Sequence, residues 1–146
     1  MLDEVVSRWN SCDILIKAAA VADYRPKHSA DAKIKKSGDT LTLELVKTTD
    51  ILESLGKVKD NQFLIGFAAE TGNAEYYAKD KLVRKNLDLI VANDVSREGA
   101  GFGTDTNIVS IYDAGGLVLD LPLSSKDEVA RRLLTLAAER ISGVTR

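Results

Sequence analysis

One cysteine, one histidine, no long apolar run and almost no net charge mark this chain of 146 residues, and each shortage removes a class of function. Cys12 alone cannot support an internal disulfide framework or an all-cysteine metal site, and its place beside an apolar segment predicts a buried, inert thiol. His28 stands alone in a polar linker, with no serine or cysteine in a nucleophile setting, which leaves a covalent triad little support. No apolar run reaches the roughly 18 residues that a membrane span needs, and the first residues lack the basic and apolar regions of a signal peptide. The expected setting is the cytoplasm, with no membrane partner. A net charge of −2 gives no global attraction to nucleic acid or anionic lipid, so any anion site has to be local. Gly99-Ala100-Gly101-Phe102-Gly103 is glycine-rich, but the helix that a dinucleotide fingerprint requires does not follow it.

What is present reads as α/β. The length, with 45% hydrophobic and 29% charged residues, suits one soluble globular domain with a sizeable core. Leu2, Val5, Val6 and Trp9 recur at i, i+3, i+4 and i+7, which predicts an amphipathic helix over 1–10 feeding an apolar strand over 13–20. A doubly wound domain ordinarily opens with a strand and a glycine-rich turn; neither precedes this helix, so an upstream segment is expected to be missing. Beyond Pro26, the run Lys33-Ile34-Lys35-Lys36, a Ser37-Gly38-Asp39 turn and alternating Leu41, Leu43 and Leu45 predict an inserted β-hairpin. Thr48 or Thr49 is the expected cap of a helix whose apolar face is Ile51, Leu52 and Leu55, with Asp50 and Glu53 favouring its positive end. Strands are expected over 63–67 and 87–92, with a helix between them capped by Thr71 or Asn73 and running to about Asn86. Asn107 to Tyr112 and Leu117 to Leu121 read as two strands around Ala114-Gly115-Gly116. Ser125 with Glu128 forms a capping box for a last helix carrying Val129, Leu133, Leu136 and Ile141.

Three strands end in small and polar residues: Ala18-Ala19-Ala20-Val21-Ala22-Asp23, Ala68-Ala69-Glu70-Thr71 and Ala92-Asn93-Asp94. Ligands of open α/β sheets bind at such strand ends, so the three tips predict one shared crevice. Lys81 and Lys85, four apart on a helix, place two ammonium groups roughly 6 Å apart on one face. That spacing suits adjacent phosphates, although a solvated basic face is the commoner fate of such lysines. On the hairpin, Lys33 and Lys35 point one way and Ile34 and Lys36 the other; the pair either reaches over a site or guards an edge strand. Asp23 can accept bonds from a base, a ribose or metal-bound water, or cap the turn before Pro26. Phe67 can present a ring to a flat base or fill the core. Glu70 can bind metal or cap its neighbouring helix.

Taken together, the strand tip from Ala18 to Pro26, Lys33-Ile34-Lys35-Lys36, Gly66-Phe67-Ala68-Ala69-Glu70-Thr71, Lys81-Leu82-Val83-Arg84-Lys85-Asn86-Leu87-Asp88 and Val91-Ala92-Asn93-Asp94-Val95 strongly resemble phosphopantothenate–cysteine ligase. In bacteria that ligase is usually the C-terminal half of a bifunctional coenzyme A biosynthesis flavoprotein. The resemblance runs from Met1 to the last helix and implies a Rossmann-like, three-layer α/β fold with a mostly parallel sheet and an inserted hairpin. Residues 1–146 then form a partial ligase domain that lacks the family's N-terminal βα segment and its glycine-rich, asparagine-containing motif.

The family joins 4′-phosphopantothenate to cysteine with CTP, through an acyl-cytidylate. The resemblance implies that Lys33, Lys81 and Lys85 hold the CTP phosphates, with Lys33 the catalytic lysine on a mobile flap. It puts Asp23 and the backbone of Ala18 and Ala19 against the nucleotide, Phe67 beside the base or sugar, and the backbone N–H groups of Thr49, Asp50 and Ile51 toward the ligand. Mg2+ is expected with CTP, on protein ligands that the sequence does not identify. FMN is expected only where a decarboxylase domain precedes this region. The family's hairpin, residues 33–46 here, implies a homodimer interface. A nucleotide-binding and dimerisation fragment, inactive alone, is the alternative expectation.

Overall fold

A computed structural model describes residues 1–35, 38–70, 74–97, 99–100 and 103–143, with Glu70 as backbone only. The chain opens with α1 (Leu2–Arg8) and a 3-10 turn (Trp9–Ser11). It continues with β1 (Ile14–Lys17), β2 (Tyr24–Pro26), β3 (Leu45–Lys47), α2 (Ile51–Gly56) and β4 (Phe63–Glu70). Then come α3 (Ala74–Arg84), β5 (Leu89–Asp94), β6 (Thr106–Asp113), β7 (Gly116–Ser125) and α4 (Lys126–Ile141).

The main sheet has the order β1-β4-β5-β6-β7. The first three strands are parallel, with Ile16 opposite Ile65 and Ile65 opposite Leu89, whereas β6 and β7 run antiparallel. Successive strand residues point to opposite faces, so β4 feeds two cores. Leu64 enters a cluster with Trp9, Ile51, Leu52, Leu55, Ala78 and Leu82 from the segments on one face. Ile65 enters the other, against Val129, Leu133 and Ala137 of α4. Helices therefore cover both faces, the three-layer α/β arrangement expected, and parallel strands buried on both sides read as the continuous apolar runs seen in β4 and β5.

The local chemistry explains where elements stop. Just past α3, Asn86 takes the left-handed region at φ 51°, with Leu87 N–H donating to the Leu82 carbonyl (3.0 Å) and Asn86 N–H to that of Val83 (3.3 Å). This is a Schellman closure, in which asparagine tolerates the positive φ. The following strand consequently starts at Leu89, two residues later than expected. The β6–β7 turn is closed by the Asp113 carboxylate accepting the Gly115 N–H at 2.7 Å, and Gly116 takes φ 126°.

Several expectations need correction. The first strand ends at Lys17 rather than Ala20. Alanine is a poor strand former, β1 has a neighbour on one side only among the described residues, and the Lys17 ammonium curls forward to the Ala19 carbonyl at 3.0 Å. Neither Thr48 nor Thr49 caps α2; Asp50 does, accepting the Glu53 N–H at 3.1 Å. Thr48 is occupied elsewhere, its hydroxyl on the Ala22 carbonyl (2.5 Å) and its N–H on that of Asp23 (2.8 Å). An antiparallel pair is inserted before α2, but its strands are β2 and β3, with Arg25 opposite Val46. Lys33 to Lys35 and Leu41 to Glu44 lie in the connecting loop, because their alternation finds no second strand among the described residues. Lys36 and Ser37 fall outside the described residues, as do the expected caps Thr71 and Asn73. Val6 and Ile141, expected inward, are exposed, and Cys12 is only half-buried, its thiol 2.9 Å from the Ile14 carbonyl. Of the capping box, the Ser125 half forms (Glu128 N–H to Ser125 Oγ, 3.2 Å), while the Glu128 carboxylate turns to Arg131 and Arg132.

Candidate functional site

The C-terminal ends of β1, β4 and β5 open into one cleft of about 1070 Å³. Its size is just above the ~300–1,000 Å³ usual for ligand pockets. β1 delivers Lys17, the segment from Ala18 to Val21, and Asp23; β4 delivers Phe67, Ala68 and Ala69; β5 delivers Asn93. The parallel register carries all three tips to the same end of the sheet. The cleft walls are the start of α2, the last turns of α3, and α4 from Lys126 to Leu134.

Of the expected site residues, Ala18, Ala19, Asp23, Thr49, Asp50, Ile51, Phe67, Lys81 and Lys85 line this cleft. Lys33 does not; it is exposed in the loop between β2 and β3. Phe67 is half-buried, packs against the α4-side core and also lines the cleft. The Glu70 side chain lies outside the described residues.

The charged wall is organised by α2 and α3 together. Lys81, Arg84 and Lys85 share one face of α3, as i+3 and i+4 spacing requires. The Lys85 ammonium meets the Asp50 carboxylate at 2.7 Å, and Arg84 meets Glu53 at 3.2 Å and Asp80 at 3.6 Å. Burial pushes the Asp50 carboxyl up, but the Lys85 hydrogen bond, the Glu53 backbone N–H and the charges of Lys85 and Arg84 outweigh it and hold it below its ordinary value. The two helices approach closely at Gly56, where a Cβ would lie 2.0 Å from the Lys85 carbonyl oxygen. That contact sets the Lys85 backbone against the last residue of α2. Asn86 Nδ2 adds a hydrogen bond to the Gly56 carbonyl at 3.0 Å.

Sequence reasoning missed Arg84, Glu53, Asn107 and Lys126 as cleft residues, whereas Asn93 belongs to one of the three strand tips it placed there. Arg84 was reachable from the same helical spacing that singled out Lys81 and Lys85. Asn107 and Lys126 come from the antiparallel half of the sheet and the last helix, and no local pattern ties them to the strand tips. Among the described residues, no three His, Cys, Asp or Glu side chains gather as a metal cage.

The arrangement combines cations, a half-buried ring and backbone at strand tips, a combination suited to an anionic ligand with a flat group. The model of the DNA/pantothenate metabolism flavoprotein C-terminal domain matches residues 1–141. The chain belongs to that family. A coenzyme A biosynthesis bifunctional protein CoaBC from Bacillus subtilis (strain 168) is 53% identical to this flavoprotein C-terminal domain over 134 residues, which is 92% of this chain and 33% of the relative. The protein of the same name from Vibrio cholerae serotype O1 is 47% identical over 144 residues, covering 97% of this chain and 36% of the relative. The chain thus spans about a third of the length of these relatives. The crystal structure of the C-terminal domain of a CoaBC protein superposes with a TM-score of 0.77 at 46% identity, covering 97% of this chain and 63% of that one. The resemblance drawn from the motifs and the family match therefore agree, and so does the fold. No described helix of the family domain is long and apolar enough to cross a membrane.

Proposed function

We propose that this chain supplies most of the CTP site of a phosphopantothenate–cysteine ligase acting in coenzyme A biosynthesis in the cytoplasm. The observation that carries this reading is the convergence of Lys81 and Lys85 with Asp23 and Phe67 in one cleft at the strand tips. Its relatives, coenzyme A biosynthesis bifunctional proteins, support the pathway. In the reaction, the carboxylate of 4′-phosphopantothenate attacks the α-phosphorus of CTP, releasing pyrophosphate and leaving an acyl-cytidylate. The amine of cysteine then attacks the acyl carbon, the amide forms, and CMP leaves. A triphosphate and a carboxylate repel one another, so cations fixed near both lower the barrier by electrostatics and positioning. Lys81 and Lys85 take the phosphates, Phe67 flanks the base or sugar, and Lys33 reaches the site when its loop closes. Magnesium held largely by phosphate oxygens and water needs only one or two carboxylates, and Asp23 lines the cleft.

Calorimetric titration with CTP, ATP and NADH tests the site. CTP should be preferred, and Lys81→Ala and Lys85→Ala should each weaken it about 10-fold or more, since a hydrogen bond to a charged group contributes about 1.5–3 kcal/mol. Preference for NADH, or CTP binding untouched by both substitutions, would refute the reading. Pyrophosphate release dependent on 4′-phosphopantothenate, measured with the family's N-terminal segment supplied, separates a ligase from a nucleotide-binding fragment. An unchanged rate in Lys33→Ala would remove that lysine from the mechanism.

The loop between β2 and β3 exposes Ile34, Leu41 and Leu43, and Leu45 follows them on β3. We assign 33–46 to a homodimer interface. Sedimentation as a monomer at high concentration would overturn that assignment.

A further inference from the structure

Two lysine–carboxylate pairs are the least exposed ion pairs described, and they differ in what surrounds them. Lys59 (11% exposed) holds Asp88 at 2.6 Å and the Asn86 carbonyl at 3.2 Å, while the same Asp88 oxygen accepts the Leu64 N–H at 2.6 Å. That pair joins the loop after α2 to β4 and lines no part of the cleft. Lys85 (15% exposed) faces the cleft and meets Asp50, a residue from another element 35 positions earlier, at 2.7 Å. Asp50 divides its two oxygens: Oδ1 caps α2 through the Glu53 N–H, and Oδ2 takes the lysine. The cap immobilises the carboxylate, so the ammonium it holds is fixed in direction as well as distance. An ammonium carries three donors, and pairing with one carboxylate is compatible with contact to a phosphate.

The geometry points to Asp50 as a positioning residue that aims Lys85 at the phosphates of the nucleotide. The inference rests on the CTP reading of the cleft. It differs from the backbone role that the family resemblance gives Asp50, because here the side chain acts through Lys85. Without the carboxylate, a lysine on four rotatable bonds disperses over several rotamers and loses part of its orientation toward the ligand.

Removing a negative charge beside an anion site also strengthens anion binding, so the single effect of Asp50→Asn is ambiguous and the coupling between the two positions is the measure. Asparagine is as good an N-cap as aspartate, so Asp50→Asn keeps α2 and removes the ion pair; Asp50→Ser is a second variant of the same kind. Binding of inorganic tripolyphosphate by calorimetry supplies the readout, with thermal melting as a check on the fold. Lys85→Ala should weaken tripolyphosphate about 10-fold in the native background and about 3-fold or less in Asp50→Asn or Asp50→Ser. Equal losses in both backgrounds would overturn the positioning role while leaving the anion site standing. No loss from Lys85→Ala or Lys81→Ala in the native background would overturn the nucleotide reading, and the positioning role with it.

Discussion

β1 and β5 are parallel strands of one sheet with nearly the same apolar sequence, Ile-Leu-Ile-Lys and Leu-Ile-Val-Ala, yet they are packed very differently. Leu89 and Val91 of β5 are fully buried, while Ile14 and Ile16 of β1 are each 39% exposed. β5 has a strand on both sides and helices on both faces; among the described residues β1 pairs with β4 alone. Burial here follows from neighbours, not from hydropathy. The loosely packed strand is the one whose tip forms the longest stretch of the cleft wall, and the tightly packed one supplies Asn93 and the platform beneath it.

The sharpest way to break this comparison is to truncate both strands. Leu89→Ala should destabilise by about 2–5 kcal/mol, whereas Ile16→Ala should cost about 1 kcal/mol, because the isoleucine is already partly in water. Urea unfolding gives both numbers. Equal losses would mean that the β1 edge is as well packed as the centre.

A smaller effect is expected on the other cleft wall, where packing is tight although the residues are charged. Gly56→Ala places a methyl against the Lys85 carbonyl, and α2 must shift away from α3. The expected destabilisation is about 1–3 kcal/mol, and CTP affinity should fall with it because Lys85 moves. A fully stable variant with native affinity would show that this wall tolerates displacement as the β1 edge does.

The same contrast explains what was legible in the sequence. Periodicity found the buried strands and helices because each covers its own apolar face within the chain. It misplaced the inserted hairpin because Leu41 and Leu43, 67% and 60% exposed, alternate without a partner strand among the described residues. Alternation reports a two-sided chain and says nothing about what covers one side. At the cleft, Lys81 and Lys85 were legible from helical spacing, and Asp23 and Phe67 from strand ends. Asp50 was read as favouring a helix start but not as the cap, since Thr48 and Thr49 precede it and only the tertiary bond of Thr48 to Ala22 removes that competitor. The Asp50–Lys85 pair spans two elements and has no local signature.

The smallest expected effect is the pH dependence that this pair confers. The Asp50 carboxyl is held below its ordinary 3.8 in the folded chain, against the upward pull of its partial burial, by the Lys85 and Glu53 hydrogen bonds and the nearby positive charges. A carboxyl that ionises more readily when folded stabilises the fold at pH above its unfolded value, and the contribution fades as pH falls through the lower folded value. The native protein should therefore melt above Asp50→Asn by a constant margin between about pH 7 and 5, and the margin should close below about pH 4 as both side chains become neutral. The margin is modest, because the Asp50 side chain is 33% exposed and water screens the pair. A margin unchanged at low pH would mean that asparagine disturbs the α2 cap or its packing, and that the charge pair contributes nothing to holding the two helices together.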